Sequence, residues 1–594
     1  YKILYNDAAA MTGGQPVEGG LSVVEIAGQM HAEGIKALAI VSDRPEKFRG
    51  LCDLPAGARV YHRDELDAVQ RRMRDIAGTT VIIYEQTCAA EKRRRRKRDA
   101  FPDPNKRAFI NTLICEGCGD CSIKANCVSI HPVETTFGRK RKIDQSSCNK
   151  DYSCIKGFCP AFVTVEGGDL RRPDVAELPA GVFDDLPEPG GPALDEEWAM
   201  LVAGIGGTGV VTISAVLGMA AHLEGKGVSI FDMTGLSQKN GAVYSHLKIS
   251  AAPGVEISHG VGLGEADLLL GCDLVAAVAP SALHVVEPDQ TQAMINADVT
   301  PTPAFQLARD LSVDGSLLVQ ALTDHVGADH THTVDATRIA LALTGDTIGA
   351  NSFMIGFALQ RGCLPLSVAA IEQAIAVNGV AVPFNLLAFR LGRLTAAEPE
   401  AVTALMADAT ENSVAETFEE TVARRVDYLT DYQDAGYASR YRDLVEMAQH
   451  AESKLGSDRT DFAAAVARYA FKLMAYKDEY EVARLHRDHG FAEQLKQTFS
   501  GDYRIRYHLA PPFFSRRNPH TGLQRKSDYG PWMAGLMKLL AGMKGLRGSR
   551  FDPFGWTTER RTERRLRDQY ITDIETISAM LSVDSLATAI SLAE

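Results

Sequence analysis

Seven of the eleven cysteines in this 594-residue chain fall between positions 115 and 159. Their spacing is Cys115-x2-Cys118-x2-Cys121-x5-Cys127, then Cys148-x5-Cys154-x4-Cys159-Pro160. Three cysteines at intervals of three let one short loop wrap an iron–sulfur cubane. The fourth thiolate then comes from a distant cysteine, typically one followed by proline. Cys115, Cys118, Cys121 and Cys159 fit that arrangement for one [4Fe–4S] cluster. Cys127, Cys148 and Cys154 are three thiolates where a second cluster wants four. They hold a second cluster with Cys88 or a non-cysteine ligand, or they merely line the fold. The rival for the whole segment is structural zinc. Zinc sites usually pair two doublets, however, while a triplet with a distant Cys-Pro is a ferredoxin-type pattern.

Two basic stretches flank this chemistry. Lys92 to Arg98 is seven successive cations, ending seventeen residues before Cys115, and Arg139-Lys140-Arg141-Lys142 lies inside the segment. Such runs are usually solvated loops or patches for polyanions. Beside a cluster they would also attract an acidic electron carrier and favour the reduced, more negative cluster. No aromatic residues interleave them, which weakens an RNA-binding reading.

A second candidate site is the turn Gly204-x-Gly206-Gly207-x-Gly209, between an apolar strand and a helix. Glycines there let the backbone approach an anion at a helix N-terminus, where free N–H groups favour phosphate. Asp232, at the end of the next strand, stands where a ribose-binding carboxylate would. Alone, that suggests NAD, although the same turn also serves tight strand–helix packing. Thr234 to Gly241 and Asn351 to Gly356 are further polar segments at element ends, where sites commonly form. His486-x2-His489 lies on a charged helix and reads as solvated, while Cys272 and Cys363 read as core thiols. Cys52 has no recognisable partner.

The elements that must position these residues form an α/β multidomain chain. Lys2–Tyr5, Ala37–Val41 and Thr80–Tyr84 read as buried strands, alternating with helices at Val23–Glu33 and Arg63–Ile76. That order implies a parallel sheet with helices on its faces. The expected divisions are an α/β part at 1–100, the iron–sulfur segment at 101–165, a Pro- and Gly-rich linker at 166–196, a second α/β domain at 197–397, and a mostly helical extension at 398–594. Asp502 to Tyr507 and Pro511 to Phe514 are candidates for packing that extension onto the rest. No internal repeat is evident. Ala199 to Ala221 is uncharged and long enough to mimic a membrane span, but its glycines favour a strand, a turn and a helix. A hydrophobic content of 45% and a charged content of 23% exclude general disorder, and a net charge of −13 argues against a chain-wide role on nucleic acid or anionic membrane. Clustered cysteines without a signal peptide point to a reducing, cytoplasmic setting. The chain opens at Tyr1 on an apolar segment and reads as a piece of a longer protein.

Tyr5-Asn6-Asp7-Ala8-Ala9-Ala10-Met11-Thr12-Gly13-Gly14-Gln15, the segment from Leu113 to Pro160, and the glycine turn with Gly235–Gly241 together resemble the indolepyruvate ferredoxin oxidoreductases. These belong to the 2-oxoacid:ferredoxin oxidoreductase superfamily, and the likeness is to the long bacterial form with fused catalytic and gamma subunits. It extends over nearly the whole chain, with Tyr476-Lys477-Asp478-Glu479-Tyr480 resembling part of the fused form's extension.

The resemblance implies a partial thiamine-diphosphate-binding α/β domain at the start, a ferredoxin-like iron–sulfur segment and a gamma-type Rossmann-like domain. It implies that Asn6 and the carbonyl of Ala8 hold Mg²⁺ on the diphosphate, an oxygen site that suits this hard ion, with Thr12 approaching the cofactor. The Gly-Asp-Gly turn that opens the motif is absent from these 594 residues. A missing N-terminal half or a partner chain is therefore expected to complete the site. The implied activity is CoA-acylating oxidative decarboxylation of 2-oxoacids, with indolepyruvate and other arylpyruvates as substrates and ferredoxin as acceptor. The gamma glycine turn would line the coenzyme A approach or support the thiamine site. A homodimer is expected, with no nucleic acid and no membrane. The alternatives are a non-catalytic electron-transfer or assembly subunit of such a complex, and an NAD-linked iron–sulfur oxidoreductase.

Overall fold

The computed structural model describes residues 1–8, 19–48, 50–51, 53–127, 129–171, 178–179, 181–194, 197–234, 241–255, 257–299, 313–407, 417–456, 460–512 and 526–594. Thr12, Cys52 and positions 235–240 of the polar segment after the second strand of the later α/β domain therefore lie outside the described residues.

The first sheet is wholly parallel, in the order β1 (Lys2–Tyr5), β4 (Thr80–Glu85), β2 (Ala37–Ser42), β3 (Arg59–His62). Alternation along β2 divides its side chains between two layers, because successive residues of a strand face opposite ways. Leu38 and Ile40 pack with Val23 and Ala27 of α1 (Val23–Ala32). Ala39 and Val41 pack with Val69 and Met73 of α2 (Leu66–Arg74). A capping box at Ser22 and Glu25 starts α1.

The cysteine segment contains a structural repeat that its sequence conceals. β5 (Lys106–Ile110), α4 (Asp120–Ala125) and β6 (Ile130–Val133) form one unit. β7 (Lys140–Ile143), a 3₁₀ turn at Ser153–Lys156 and β8 (Phe162–Leu170) form the other. Cys115 and Cys148 each follow a strand end by five residues, and Cys127 and Cys159 each precede the next strand by three. The expectation of no internal repeat is thus corrected: side-chain identity differs, and so does the last interval (x5 before Cys127, x4 before Cys159), while the turn geometry is the same. β5 pairs antiparallel with β8, and β6 with β7. β8 also runs on to Leu170, five residues beyond the expected end of this segment.

The later α/β domain has six strands in the order β10 (Gly227–Thr234), β11 (Ala242–Ser250), β9 (Trp198–Ile205), β12 (Leu268–Gly271), β13 (Gln292–Asn296), β14 (Thr331–Val334). β11 runs antiparallel between β9 and β10, and the rest beyond β9 are parallel. The strand–turn–helix expected at 199–221 is β9 followed by α5 (Val210–Leu223). Among the described residues, no helix is long and apolar enough to cross a membrane. Behind the sheet, helices Ala350–Gln360 and Val382–Ala397 cross so closely that a Cβ at Gly356 or Gly392 would strike the other helix's backbone. Gly356 thus packs helices.

The last part is helical around a core that includes Tyr432, Tyr441, Phe462 and Ile574. Within it, Asp478 and Arg547 are paired at 2.5 Å with both side chains about 4% exposed. The extension also departs from the helical expectation. β15 (Phe499–Leu509) pairs antiparallel with β8, and β16 (Ser527–Tyr529) pairs with β15, giving a sheet of order β16-β15-β8-β5. Residues 503–507 therefore join the extension to the cysteine segment through backbone pairing.

His486 corrects another expectation. It is 3% exposed, with Nε2 3.0 Å from the Pro160 carbonyl oxygen and its ring edge-on to Phe491 and Tyr507. His489 alone is exposed. Burial holds the His486 ring near a pKa of about 4, so an unfolded chain takes up a proton that the folded chain refuses. Stability is then complete above the ordinary histidine value of about 6.5 and falls as pH drops from there toward 4. The loss approaches about 3 kcal/mol, at about 1.36 kcal/mol per pKa unit. Thermal unfolding of His486→Gln between pH 7 and 4 is expected to show a shallower fall than the parent chain; identical pH profiles would contradict this.

Candidate functional site

Lys92 to Arg96 of the basic run lie on a helix, α3 (Ala89–Arg96), with Lys97 as its C-cap, and these six cations are committed to partners. Lys92 pairs with Asp43 at 2.8 Å, and Arg95 bridges Glu91 at 3.1 Å and Asp7 at 3.0 Å. Arg93 donates to the Ser147 carbonyl at 2.7 Å, and Arg96 to the Asn149 carbonyl at 2.8 Å. Lys97 pairs with Asp346 of the later α/β domain at 3.1 Å. This helix therefore ties three parts of the chain together, which differs from a solvated loop or an open patch. The second stretch is internal in its middle, with Arg141 1% exposed and Lys140 7%, while Arg139 is half-buried and Lys142 exposed. Cations that neutralise carboxylates and cap carbonyls escape the desolvation cost of lone buried charges.

Arg93 and Arg96 hold the carbonyls on either side of Cys148. Arg63, after β3, adds a contact to Asp151 at 3.0 Å. The Cys148 loop is thus pinned against the first sheet. The Cys115 loop faces the extension instead: Asn111 donates to the Leu485 carbonyl at 3.0 Å, and Lys477 stands 3.8 Å from Glu116.

The thiols fall into two groups by the charges that act on them. Burial first, and then the neighbouring Cys115 and Cys118, push Cys121 up to about 11. Burial pushes Cys159 up to about 12, with Cys115 and Cys118 again adding to the shift. In the other group, burial and then Cys148 and Cys127 raise Cys154, while Cys148 is raised by burial and by Cys127. Cys121 also acts on Cys154, so the two groups are neighbours. Cys88 is the N-cap residue of α3.

The four residues expected to hold one cubane thus share one neighbourhood, and their loop has the required form. Cys115 Sγ accepts the N–H of Gly117 at 3.4 Å and of Arg141 at 3.3 Å. Gly117 and Gly119 have φ of 66° and 76°, and a Cβ on Gly117 would collide with the Arg139 carbonyl oxygen. Among the described residues, no three His, Cys, Asp or Glu side chains are grouped to hold a single metal ion. A cubane spreads its ligands over separate irons, and this donor set fits it. Each neutral thiol must lose its proton on ligation.

The carboxyl end of β1 carries the other expected metal ligands. Asn6 is half-buried and Ala8 is buried, and Asp7 between them is left-handed at φ 55°. Asp7 accepts from Thr87 at 3.0 Å and from Arg95. Strand ends of this kind are where open α/β sheets take ligands, and Asn6 and Ala8, expected to hold Mg²⁺, follow this one.

Gly206, Gly207 and Gly209 form the turn into α5, with Gly207 and Gly209 at positive φ, and Asn351 Nδ2 donates to the Thr208 carbonyl at 2.8 Å. A Cβ on Gly204 would run into Val210, so that glycine serves strand–helix packing. The turn opens on a cavity of about 1190 Å³ between the two α/β domains and the cysteine segment, lined also by Arg107, Lys142, Cys148 and Asn351. Asp232 is a strand too far away for the NAD reading. β11 separates β10 from β9, and Asp232 Oδ1 accepts from Ser245 Oγ on β11. Sequence alone could not reveal that insertion, because β11 returns to pair beside β9 only after β10. Burial raises Cys272 to about 12 and Cys363 to about 11, in keeping with core thiols.

Sequence reasoning missed a second hollow, of about 790 Å³, beside the Cys115 loop. Gly117 and Glu116 line it together with Arg139, Arg424, Arg468, Lys472 and Lys477. Apart from Arg139, these cations come from far along the chain, so no local run announces them.

Residues 199–395 match the family described as pyruvate ferredoxin/flavodoxin oxidoreductase, and residues 418–594 match a family of unknown function (DUF6537). The chain is similar to indolepyruvate oxidoreductase subunit IorB of Pyrococcus horikoshii, 27% identical over 34% of this chain and 98% of that one. The protein of the same name from Methanothermobacter thermautotrophicus is 28% identical, over 33% of this chain and 96% of the other. Among solved structures, pyruvate oxidoreductase subunit PORC of Thermotoga maritima is 20% identical with a TM-score of 0.25, covering 34% of this chain and 96% of that chain.

Gly117→Ala places a side chain where φ and the Arg139 carbonyl leave no room. The anaerobically purified variant is expected to lose about half or more of the iron and sulfide of the parent chain, since ligation and loop geometry are coupled. Unchanged iron content would show that this turn does not form the cradle.

Proposed function

From the premise that this chain is a member of the 2-oxoacid:ferredoxin oxidoreductase superfamily, we propose that it takes part in oxidative decarboxylation of a 2-oxoacid, indolepyruvate or another arylpyruvate, to acyl-CoA and CO2. Ferredoxin is the proposed electron acceptor. The observation that carries this reading is the clamping of the Cys148 loop against the first sheet by Arg63, Arg93 and Arg96. Thiamine diphosphate, when bound, supplies the electron sink for decarboxylation, and iron–sulfur clusters carry electrons singly.

In this reading Asn6 and the Ala8 carbonyl hold Mg²⁺ at the end of β1, with a Gly-Asp-Gly turn that these residues do not contain. Arg95 fixes the loop between them through Asp7. Cys115, Cys118, Cys121 and Cys159 bind one cubane. The glycine turn and Lys142 face coenzyme A across the larger cavity, where backbone N–H groups and a cation suit its phosphates. The named relatives are subunits, so partner chains belong to the proposal.

The cation-lined hollow beside the Cys115 loop is the proposed docking place for the acidic carrier, since complementary charge speeds and orients encounter. Arg468 and Lys472 are its exposed members on helix Asp461–Met474. In the complete enzyme, assayed anaerobically with indolepyruvate and coenzyme A, Arg468→Glu with Lys472→Glu is expected to raise KM for ferredoxin about tenfold, an effect of about 1.4 kcal/mol. The KM for coenzyme A should not move. Equal effects on both, or none, would contradict the docking place; absence of oxoacid-dependent ferredoxin reduction in the parent enzyme would contradict the function.

A further inference from the structure

We infer that Asp151 is the fourth protein ligand of a second iron–sulfur site, completing Cys127, Cys148 and Cys154. The inference rests on the iron–sulfur reading above and names the donor that this reading lacks. Its basis is the repeat within the cysteine segment. In the first unit the ligands are spaced Cys115-x2-Cys118-x2-Cys121, and in the second the same intervals give Cys148-x2-Asp151-x2-Cys154.

The backbone repeats as closely as the spacing. Cys118 lies between two left-handed residues, Gly117 at φ 66° and Gly119 at φ 76°. Asp151 lies between Lys150 at φ 50° and Tyr152 at φ 60°. Non-glycine residues rarely adopt this conformation, and two flanking one position are a retained strain. Gly117 N–H donates to Cys115 Sγ at 3.4 Å, and Lys150 N–H donates to Cys148 Sγ at 3.4 Å. Gly119 is the N-cap of α4, and Tyr152 is the N-cap of the 3₁₀ turn at Ser153–Lys156. Asp151 therefore occupies in one unit the place of Cys118 in the other. The units also exchange their remote ligands, with Cys159 beside the first group and Cys127 beside the second.

The carboxylate is held for this use. Arg63 donates from Nη1 to Oδ1 at 3.0 Å and from Nη2 to Oδ2 at 3.5 Å, and Ser153 Oγ donates to Oδ2. A carboxylate offers about four lone-pair positions, so these three contacts leave one on Oδ1 for an iron. An oxygen donor is harder than a thiolate and binds the irons of a sulfide cluster less firmly. The iron at Asp151 would then be the corner most easily lost. On oxidation by ferricyanide, the cubane gives up one electron and sheds that iron as Fe²⁺, leaving a three-iron cluster on Cys127, Cys148 and Cys154.

The test compares the complete enzyme with Asp151→Cys and Asp151→Ala, all purified without oxygen. Iron and sulfide are counted, and EPR is recorded after ferricyanide. Two cubanes give about eight irons per chain, and the parent enzyme is expected to develop a three-iron signal. Asp151→Cys should keep its iron and lose that signal, whereas Asp151→Ala should show it before oxidation. A three-iron signal of equal size in the parent enzyme and Asp151→Cys would overturn the ligand assignment. About four irons in the parent enzyme would overturn the second site while leaving the iron–sulfur reading intact. No iron in any of the three would overturn that reading itself.

Discussion

Five consecutive cations share the helix α3 and Lys97 caps it; all six find partners, and satisfying them organises this molecule. Along α3 the side chains fan out in several directions, and the surrounding carboxylates and carbonyls come from every neighbouring part of the chain. Asp43 and Asp7 belong to the first α/β domain, Ser147 and Asn149 to the Cys148 loop, and Asp346 to the later α/β domain. Like charges a turn apart repel, so losing one partner would unbalance the others as well. The helix is thus a charged pin, and the placement of the Cys148 loop follows from it.

That placement gives the two loops different surroundings. The Cys148 loop is gripped by arginines at its carbonyls and at Asp151, next to the sheet whose β1 carries Asn6 and Ala8. The Cys115 loop is turned toward the C-terminal extension, which secures it with β15, with Asn111 on the Leu485 carbonyl and with His486 on the Pro160 carbonyl. Lys526, also from the extension, lies near Cys159, Cys154 and Cys121, and its ammonium is held down to about 8 by burial against the pull of those sulfurs. A cation there stabilises added negative charge on either group of thiols. The extension is therefore part of the cysteine segment in a physical sense, although nearly four hundred residues separate them along the chain.

Much of this was legible in the sequence where the signal is local. The strands at Lys2–Tyr5 and Thr80, the turn after Ile205, and the grouping of Cys159 with Cys115, Cys118 and Cys121 all follow from period or spacing. Edge strand β3 escaped notice because Arg59–His62 is short and polar. What the sequence hid is non-local. The basic run reads as solvated because its partners are scattered between Asp7 and Asp346. His486 reads as solvated because charged neighbours on its own helix say nothing about Phe491, Tyr507 and Pro160 packing over it. Asp232 reads as a ribose ligand because strand order is not written in strand sequence. The internal repeat went unseen since it survives in φ angles and hydrogen bonds to sulfur, with Asp151 replacing a cysteine.

The central claim is that the cysteine segment receives electrons from a 2-oxoacid. Low-temperature EPR of the complete enzyme, prepared without oxygen and mixed with indolepyruvate, coenzyme A, thiamine diphosphate and Mg²⁺, tests it most directly, with dithionite as the full-reduction reference. The account predicts a reduced-cluster signal that depends on the oxoacid. Clusters that respond to dithionite but to no 2-oxoacid would contradict it.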